Sequence, residues 1–149
     1  MKFTVRTLAK SLAGYLSDKF PGVTFYEDPN QQETKTPCFF LQVRHSNIVP
    51  KTNERYLRTI GLDLVYLERY NLPNLQEIYQ RATEVLDECM ETFPYSDGTD
   101  EALLRTYERN ASVDEDAAHY NFELRLWVAP ERGGVPMMTM DYQEEILNG

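Results

Sequence analysis

Few side chains in this sequence have the type and the spacing that catalysis requires. The two histidines, His45 and His119, are the first candidates for acid–base chemistry, because imidazole titrates near neutral pH. His45 ends one predicted strand and His119 lies on the polar side of another, so a structural place in a sheet explains each more simply. The sequence contains no GxSxG elbow, no P-loop and no GxGxxG motif. It therefore predicts no catalytic residue, and we expect that the protein is not an enzyme.

Two acidic runs are the candidates for binding a hard cation such as calcium. Residues 114–116 are all acidic, and residues 97–101 contain three further acids. The second run lacks the twelve-residue spacing and the terminal glutamate of a calcium loop, and both fit solvated turns better. Cys38 and Cys89 have no CxxC partner, so we interpret them as buried structural thiols. The sequence thus predicts no metal site and no cofactor.

The charge of the chain limits its partners. Its 149 residues include 15 Lys and Arg against 24 Asp and Glu, which gives a net charge of -9 and a pI near 4.7. Binding to phosphates depends on cations, so we expect no stable nucleic-acid contact and no anionic membrane contact. No apolar run approaches the roughly 20 residues that span a bilayer, and the first residues do not resemble a signal peptide. We therefore expect protein partners and a cytosolic place of synthesis.

Hydrophobic spacing predicts the elements that would carry any site. Residues 117–130 alternate apolar and polar side chains without a break, which is typical of a strand with one face in a core. Apolar positions at helical spacing predict helices over 3–20 and 71–93. The remaining predicted strands are 23–27, 38–45, 55–68 and 102–109. The element order is α-β-β-β-α-β-β, which predicts an α+β fold: a mainly antiparallel sheet of about five strands with two helices packed on one face.

Both faces of the predicted strand 55–68 are partly apolar, so the face away from the helices needs a cover. The cover is either the chain's own C-terminal segment or another subunit. We expect one domain over 1–130 and a tail or arm over 131–149, which is either a disordered end or an adhesive arm. The residues predicted to contact another subunit are Leu57, Val65, Leu67, Trp127, Met137, Met138, Met140 and Tyr142.

Arginines and glutamates alternate along several predicted strands, as in Glu123 and Arg125. Two explanations are open: cross-strand charge pairs within one chain, or salt bridges between the subunits of a ring.

The order of segments resembles a known family. The chain has FPG after the first helix, then VTFYEDPNQQ, TPCFFLQV, NERYLRTIGLDLVYL, the helix NLQEIYQRATEVLDECME and the strand YNFELRLWV. Together these segments resemble the tail terminator family of phages and prophages of Gram-positive bacteria over residues 1–130. The most specific pieces are PCFF and RYLRTIGLDLVYL, and neither is a catalytic signature.

The resemblance implies a function in assembly. It implies that the chain forms a ring, a hexamer, on the end of the tail tube protein, where it stops polymerisation and meets the head connector or neck protein. DNA would pass through the ring without binding to its negative wall. The protein would lie in the host bacterial cytoplasm during assembly and then in the virion tail. Two alternatives are a neck or head–tail connector component and a stand-alone protein–protein interaction module.

Overall fold

The structure is a computed structural model that describes residues 3–26, 35–51, 55–69, 71–130 and 136–140, with side chains as far as Val128. The described residues form two helices and eight strands. In chain order these are α1 (Val5–Ser17), β1 (Thr24–Tyr26), β2 (Cys38–Pro50), β3 (Tyr56–Leu67), α2 (Leu75–Cys89), β4 (Thr92–Ser96), β5 (Glu101–Arg105), β6 (Tyr107–Val113), β7 (Ala118–Pro130) and β8 (Pro136–Met140).

The strands form one large sheet and one small one. The large sheet has the order β1-β2-β3-β7-β6, and β8 pairs with β7 beyond β6. The β1–β2 pair is parallel, and the other pairs of this sheet are antiparallel. Strands β4 and β5 form a separate two-stranded antiparallel sheet. The prediction of an α+β fold with a mainly antiparallel sheet is therefore confirmed.

Helix α1 begins with a capping box. The side chain of Thr4 accepts a hydrogen bond from the backbone N–H of Thr7, while the Thr7 hydroxyl accepts one from the backbone N–H of Thr4. The helix buries Leu8, Leu12 and Leu16, which share one stripe at spacings of four.

Both helices pack on the same face of the large sheet. The inner-face residues of the three central strands lie in one core with the buried stripes of α1 and α2. The inner-face residues in this core are Phe39, Leu41, Ile60, Leu62, Leu64, Tyr66, Ala118, Tyr120, Phe122, Leu124 and Leu126. The face opposite the helices, called here the outer face, is the one for which the sequence predicts a cover from the C-terminal segment or from another subunit.

Tyr79 of α2 joins three elements in the core. Its side chain is fully buried, and its hydroxyl donates a hydrogen bond to the backbone oxygen of Asp116 at 3.0 Å. The same hydroxyl accepts a hydrogen bond from the backbone N–H of Glu68, also at 3.0 Å. Burial raises the pKa of Tyr79, so the hydroxyl stays protonated and keeps its donor.

The structure adds strands where the sequence predicted a helix end and a turn. Phe93 lies seven positions after Leu86, which is a helical spacing, but α2 ends at Cys89 and Phe93 lies in β4. The hydroxyl of Thr106 donates to the backbone oxygens of Met90 and Glu91, which holds the chain in a turn directly after the helix. The predicted strand 102–109 is divided between β5 and β6, and β6 continues past the predicted end to Val113.

Candidate functional site

The outer face of the large sheet carries four of the eight residues predicted to meet another subunit. Odd-numbered residues of β3 and β7 share this face, because Leu57 pairs with Trp127 and Val65 pairs with His119 in an antiparallel register. About eight residues separate the Leu57 end of the face from the Val65 end, which at roughly 3.4 Å each is about 27 Å. The predicted interface residues are therefore divided between two ends of one face.

At the first end, Val65 belongs to a small apolar cluster of the chain itself. Val65 is 7% exposed and packs with Cys38, Phe40 and Ala117, while Leu67 is half-buried against them. The sequence predicted that Val65 needs a cover from the C-terminal segment or from another subunit, whereas the structure buries it against Cys38, Phe40 and Ala117. Leu67 remains accessible to a neighbouring surface.

The two cysteines are free thiols, as predicted, and differ in exposure. Cys38 is buried in the small outer-face cluster, and Cys89 is half-buried at the end of α2. Burial, with a smaller effect of the nearby Glu68 carboxylate, raises the pKa of the Cys38 thiol to about 11. A thiol with this pKa is protonated at neutral pH and is a poor nucleophile.

At the second end, Leu57 and Trp127 are cross-strand neighbours and both are half-buried. The guanidinium carbon of Arg55 lies 4.5 Å from the centroid of the Trp127 ring, a cation–π contact. The predicted residues Leu57 and Trp127 are thus adjacent on the outer face, and each keeps part of its side chain exposed.

The methionine-rich segment continues the large sheet next to this second end. Met137, Met138 and Met140 lie in β8, and Met140 pairs with Val128 of β7. Their side chains and the whole of Tyr142 lie outside the described residues. The backbone register places β8 beside the end of β7 that carries Trp127, far from Val65.

A polar cluster occupies the outer face between the two apolar ends. The Nδ1 atom of His119 lies 2.9 Å from Oδ2 of Asp63, and its Nε2 atom lies 3.1 Å from Oδ2 of Asp114. Burial lowers the pKa of His119, but the hydrogen bonds and charges of the two carboxylates outweigh burial and leave the pKa raised. Backbone N–H groups of Asp116 and Ala117 donate to Asp114 and lower the pKa of its carboxyl. Both ring nitrogens therefore face carboxylates, which leaves neither of them to activate a nucleophile.

The middle of the outer face also contains a polar concavity of about 460 Å³ between two β-bulges. One bulge lies in β2 between Val43 and His45, and the other lies in β6 between Tyr107 and Asn110. The ring of His45 sits directly over Gly61, where an added Cβ would lie 2.3 Å from His45 Nε2. Gly61 is therefore the residue that lets the imidazole approach the sheet.

Charged side chains at this concavity pair within the chain. Arg125 lies 3.6 Å from Glu123 and 3.8 Å from Glu108, and its guanidinium stacks 4.2 Å from the Tyr107 ring centroid. The Arg125–Glu108 pair joins β7 to β6 and is a cross-strand pair within one chain, whereas Arg125 and Glu123 lie two positions apart on β7 itself. Within the described parts of the chain, no group of three or more His, Cys, Asp and Glu side chains is arranged to hold a metal ion.

The second half of β2 is a surface that the sequence did not predict. Strand β2 continues past the predicted end at His45 to Pro50, and every residue of 42–51 is exposed. Its aliphatic side chains Val43, Ile48 and Val49 are 45%, 47% and 44% exposed. A signal was present, because the predicted strand 55–68 is much longer than its predicted partner 38–45 and a hairpin needs partners of similar length. We call residues 42–51 the exposed edge.

Comparison with protein-family models identifies the family of the chain. A family model described as "Phage tail terminator protein" matches residues 7–136, which is 130 of the 149 residues. No curated protein sequence matches the chain. Among the described residues, neither helix is long and apolar enough to cross a membrane.

Proposed function

Because the chain belongs to the phage tail terminator protein family and is a structural protein of a phage tail, we propose that six copies of it close into a ring that caps the tail tube. The ring stops further addition of the tail tube protein and offers its opposite side to the head connector or neck protein. The match over residues 7–136 is the observation that carries this proposal, since it includes most of α1, the whole of α2 and strands β1 to β7.

The surface chemistry of the subunit supports a ring. The helix side and the outer face differ in chemistry, and a ring whose subunits all point the same way presents different surfaces to its two axial partners. Contacts between unlike patches of identical chains close by rotation, so each subunit needs one donor patch and one acceptor patch. The exposed edge, with three accessible aliphatic side chains, is available as one of them.

The residues predicted from the sequence remain candidates for contacts in the ring. Leu57 and Trp127 form the accessible patch beside β8, and Leu67 borders the small outer-face cluster. Met137, Met138, Met140 and Tyr142 follow in the C-terminal segment, for which we retain the function of an adhesive arm. Val65 contributes through its own cluster, because its burial leaves little surface for a neighbour.

The net charge of -9 suits a lumen through which DNA slides. A negative wall repels phosphates, so the proposed ring has DNA as cargo and not as a stable ligand. We place assembly in the cytoplasm of a Gram-positive host and the mature protein in the virion tail.

The test is electron microscopy of tails produced without this protein, with wild-type tails as the control. Tails of uncontrolled length support termination. Tails of normal length that lack heads would instead assign the protein to the neck or connector, and normal virions would leave it a stand-alone interaction module. Purified protein carrying Leu57→Asp tests the Leu57–Trp127 patch, because it should lose the ring in light scattering while keeping a cooperative unfolding transition.

A further inference from the structure

The segment around the exposed edge has a charge opposite to that of the rest of the chain. Residues 42–59 contain four basic residues and one acidic residue, a net charge of +3. The remaining 11 basic and 23 acidic residues carry a net charge of -12. A second copy of this chain is therefore an electrostatically complementary partner for the segment.

Among the described residues, the exposed edge is also unpaired along the outer side of its backbone. Strand β1 pairs with β2 at Cys38, Phe39 and Phe40, and no described strand pairs with that side of β2 from Leu41 to Pro50. Nine residues past Leu41 extend over roughly 30 Å, which is about twice the radius of gyration of roughly 15 Å expected for a domain of this length. An open, aliphatic edge of this length is a docking surface for another chain.

A groove on the helix side has the complementary chemistry. It has a volume of about 340 Å³ and lies between the end of α1, the start of β2 and the helix α2. Its apolar lining residues are Phe20, Pro21, Val23, Pro37, Tyr66, Ile78, Ala82 and Val85. Two acidic residues, Glu68 and Glu77, and two basic residues, Lys19 and Arg81, also line it, and Arg81 lies 3.2 Å from Glu77. The acidic surface lies beside the groove, where α2 exposes Glu84, Asp87 and Glu88.

We propose that the exposed edge of one subunit docks into this groove of the next subunit, with Ile48 or Val49 seated among the apolar residues. The proposal rests on the proposed ring and names the contact that closes it. The edge and the groove are different patches of one chain, so the contact is heterologous and repeats by rotation. Arg44 and Lys51, both exposed, then face the acidic residues that α2 exposes beside the groove.

Charge distinguishes this contact from the symmetric pairing of two exposed edges. Antiparallel pairing of β2 with β2 of a second copy would bring Arg44 and Lys51 of both chains together, and like charges on adjacent strands are destabilising. Docking of the edge into the groove instead places Arg44 and Lys51 near the acidic surface of α2 beside it.

The contacts that Arg55 and Arg58 make within the chain favour subunit docking over DNA binding at the exposed edge. Arg55 stacks on Trp127, and Arg58 donates from Nε to Ser46 at 3.0 Å while lying 5.7 Å from the Phe3 ring centroid. Phosphate binding needs several cations free to meet the backbone, whereas two of the four basic residues here already have partners inside the chain.

The test is crosslinking of mixed subunits in a Cys89→Ala background. One preparation carries Ile48→Cys on the edge, and the other carries Ile78→Cys in the groove. A short bis-maleimide should crosslink subunits in the mixture of the two preparations. It should not crosslink subunits in either preparation by itself. Leu103→Cys on β5 is the matched control, because Leu103 is 50% exposed but belongs to neither patch. Crosslinking of Ile48→Cys with itself would overturn the proposal in favour of symmetric edges, and an uncrosslinked mixture would overturn it outright.

A charge reversal tests the same contact without cysteines. The pair Arg44→Glu with Lys51→Glu should weaken self-association by about tenfold or more, while Arg6→Glu with Lys10→Glu on the exposed side of α1 should not. Equal self-association of both double variants would contradict the docking. If the wild type shifts DNA in a gel and Arg44→Glu with Lys51→Glu removes that shift, the edge would be assigned to DNA binding.

The crosslinking result and the length of the tails together separate the docking proposal from the proposed function in tail termination. Capped tails of defined length whose rings show no crosslink would end the docking proposal and leave termination standing. A specific crosslink would support the docking. If tails made without the protein nevertheless have normal length, the proposal of tail termination would end while the docking stands.

Discussion

The close approach of His45 to Gly61 allows a sharp prediction about two neighbouring strands. An alanine Cβ at position 61 would lie 2.3 Å from Nε2, 2.6 Å from Cδ2 and 2.7 Å from Cε1 of His45. Ordinary contact begins near 3.4 Å, so the ring has to retreat by about 1.1 Å, the difference between 3.4 and 2.3 Å. Gly61 itself does not have a positive φ, so its backbone accepts alanine without strain.

Two effects of Gly61→Ala oppose each other. Displacing the His45 ring costs about 1–3 kcal/mol, toward the lower end because the side chain is exposed and can swing into solvent. Replacing glycine by alanine at a permitted backbone conformation reduces the freedom of the unfolded chain and stabilises by about 0.4–1 kcal/mol. We expect Gly61→Ala to destabilise the wild type by about 1 kcal/mol.

Removal of the imidazole should reverse the sign. In a His45→Ala background the clash is absent, so Gly61→Ala should stabilise by about 0.4–1 kcal/mol. The two effects together give a coupling energy of about 1–2 kcal/mol between the two positions.

The assay is urea unfolding of the wild type, both single variants and the double variant at one pH, with stability taken from the midpoints at constant m. An effect of Gly61→Ala that has the same sign and nearly the same size in both backgrounds would refute the contact between the His45 ring and residue 61.

Two further substitutions test the core and the polar cluster. Tyr79→Phe removes the partner of two backbone groups and should cost about 2 kcal/mol, or roughly 4–8 °C in melting temperature, whereas Tyr107→Phe, whose hydroxyl has no described hydrogen bond, should change stability by under about 0.5 kcal/mol. Equal losses of stability in the two variants would mean that removal of the Tyr79 hydroxyl is not the cause of the destabilisation. His119→Gln should cost on the order of 1 kcal/mol near pH 6, because a histidine with a raised folded pKa stabilises fully below its unfolded pKa of about 6.5. That contribution disappears as pH rises through the folded pKa, so a wild-type advantage in urea midpoint that is unchanged at about pH 9 would contradict the carboxylate contacts.

Much of the fold follows from local patterns. The alternation over 117–130 corresponds to β7, and its inner residues Tyr120, Phe122 and Leu124 are buried as predicted. The stripes of both helices are also correct in their centres, because burial of one helix face depends on spacing within the helix itself. Element ends are less local: Phe93 has a helical spacing but lies in β4, since Thr106 draws the chain into a turn after Met90.

The candidate interface is less accessible to sequence reasoning. Leu57 and Val65 share one face of β3, as the alternation predicts, yet the sequence could not show that Val65 is covered by Cys38, Phe40 and Ala117 of its own chain. The exposed edge was missed because its polar and aliphatic residues read as a connection rather than as a strand.

The sequence by itself determined the α+β class, the position of β7, the inner faces of the central strands and the acidic net charge, because each depends on neighbours in the chain or on a simple count. Tertiary structure alone decided which distant residues meet. His119 reaches Asp63 across 56 positions, and His45 lies over Gly61 only because a bulge shifts the register of β2. A one-residue shift of register moves every following side chain to the opposite face, and no local pattern records where such a shift occurs.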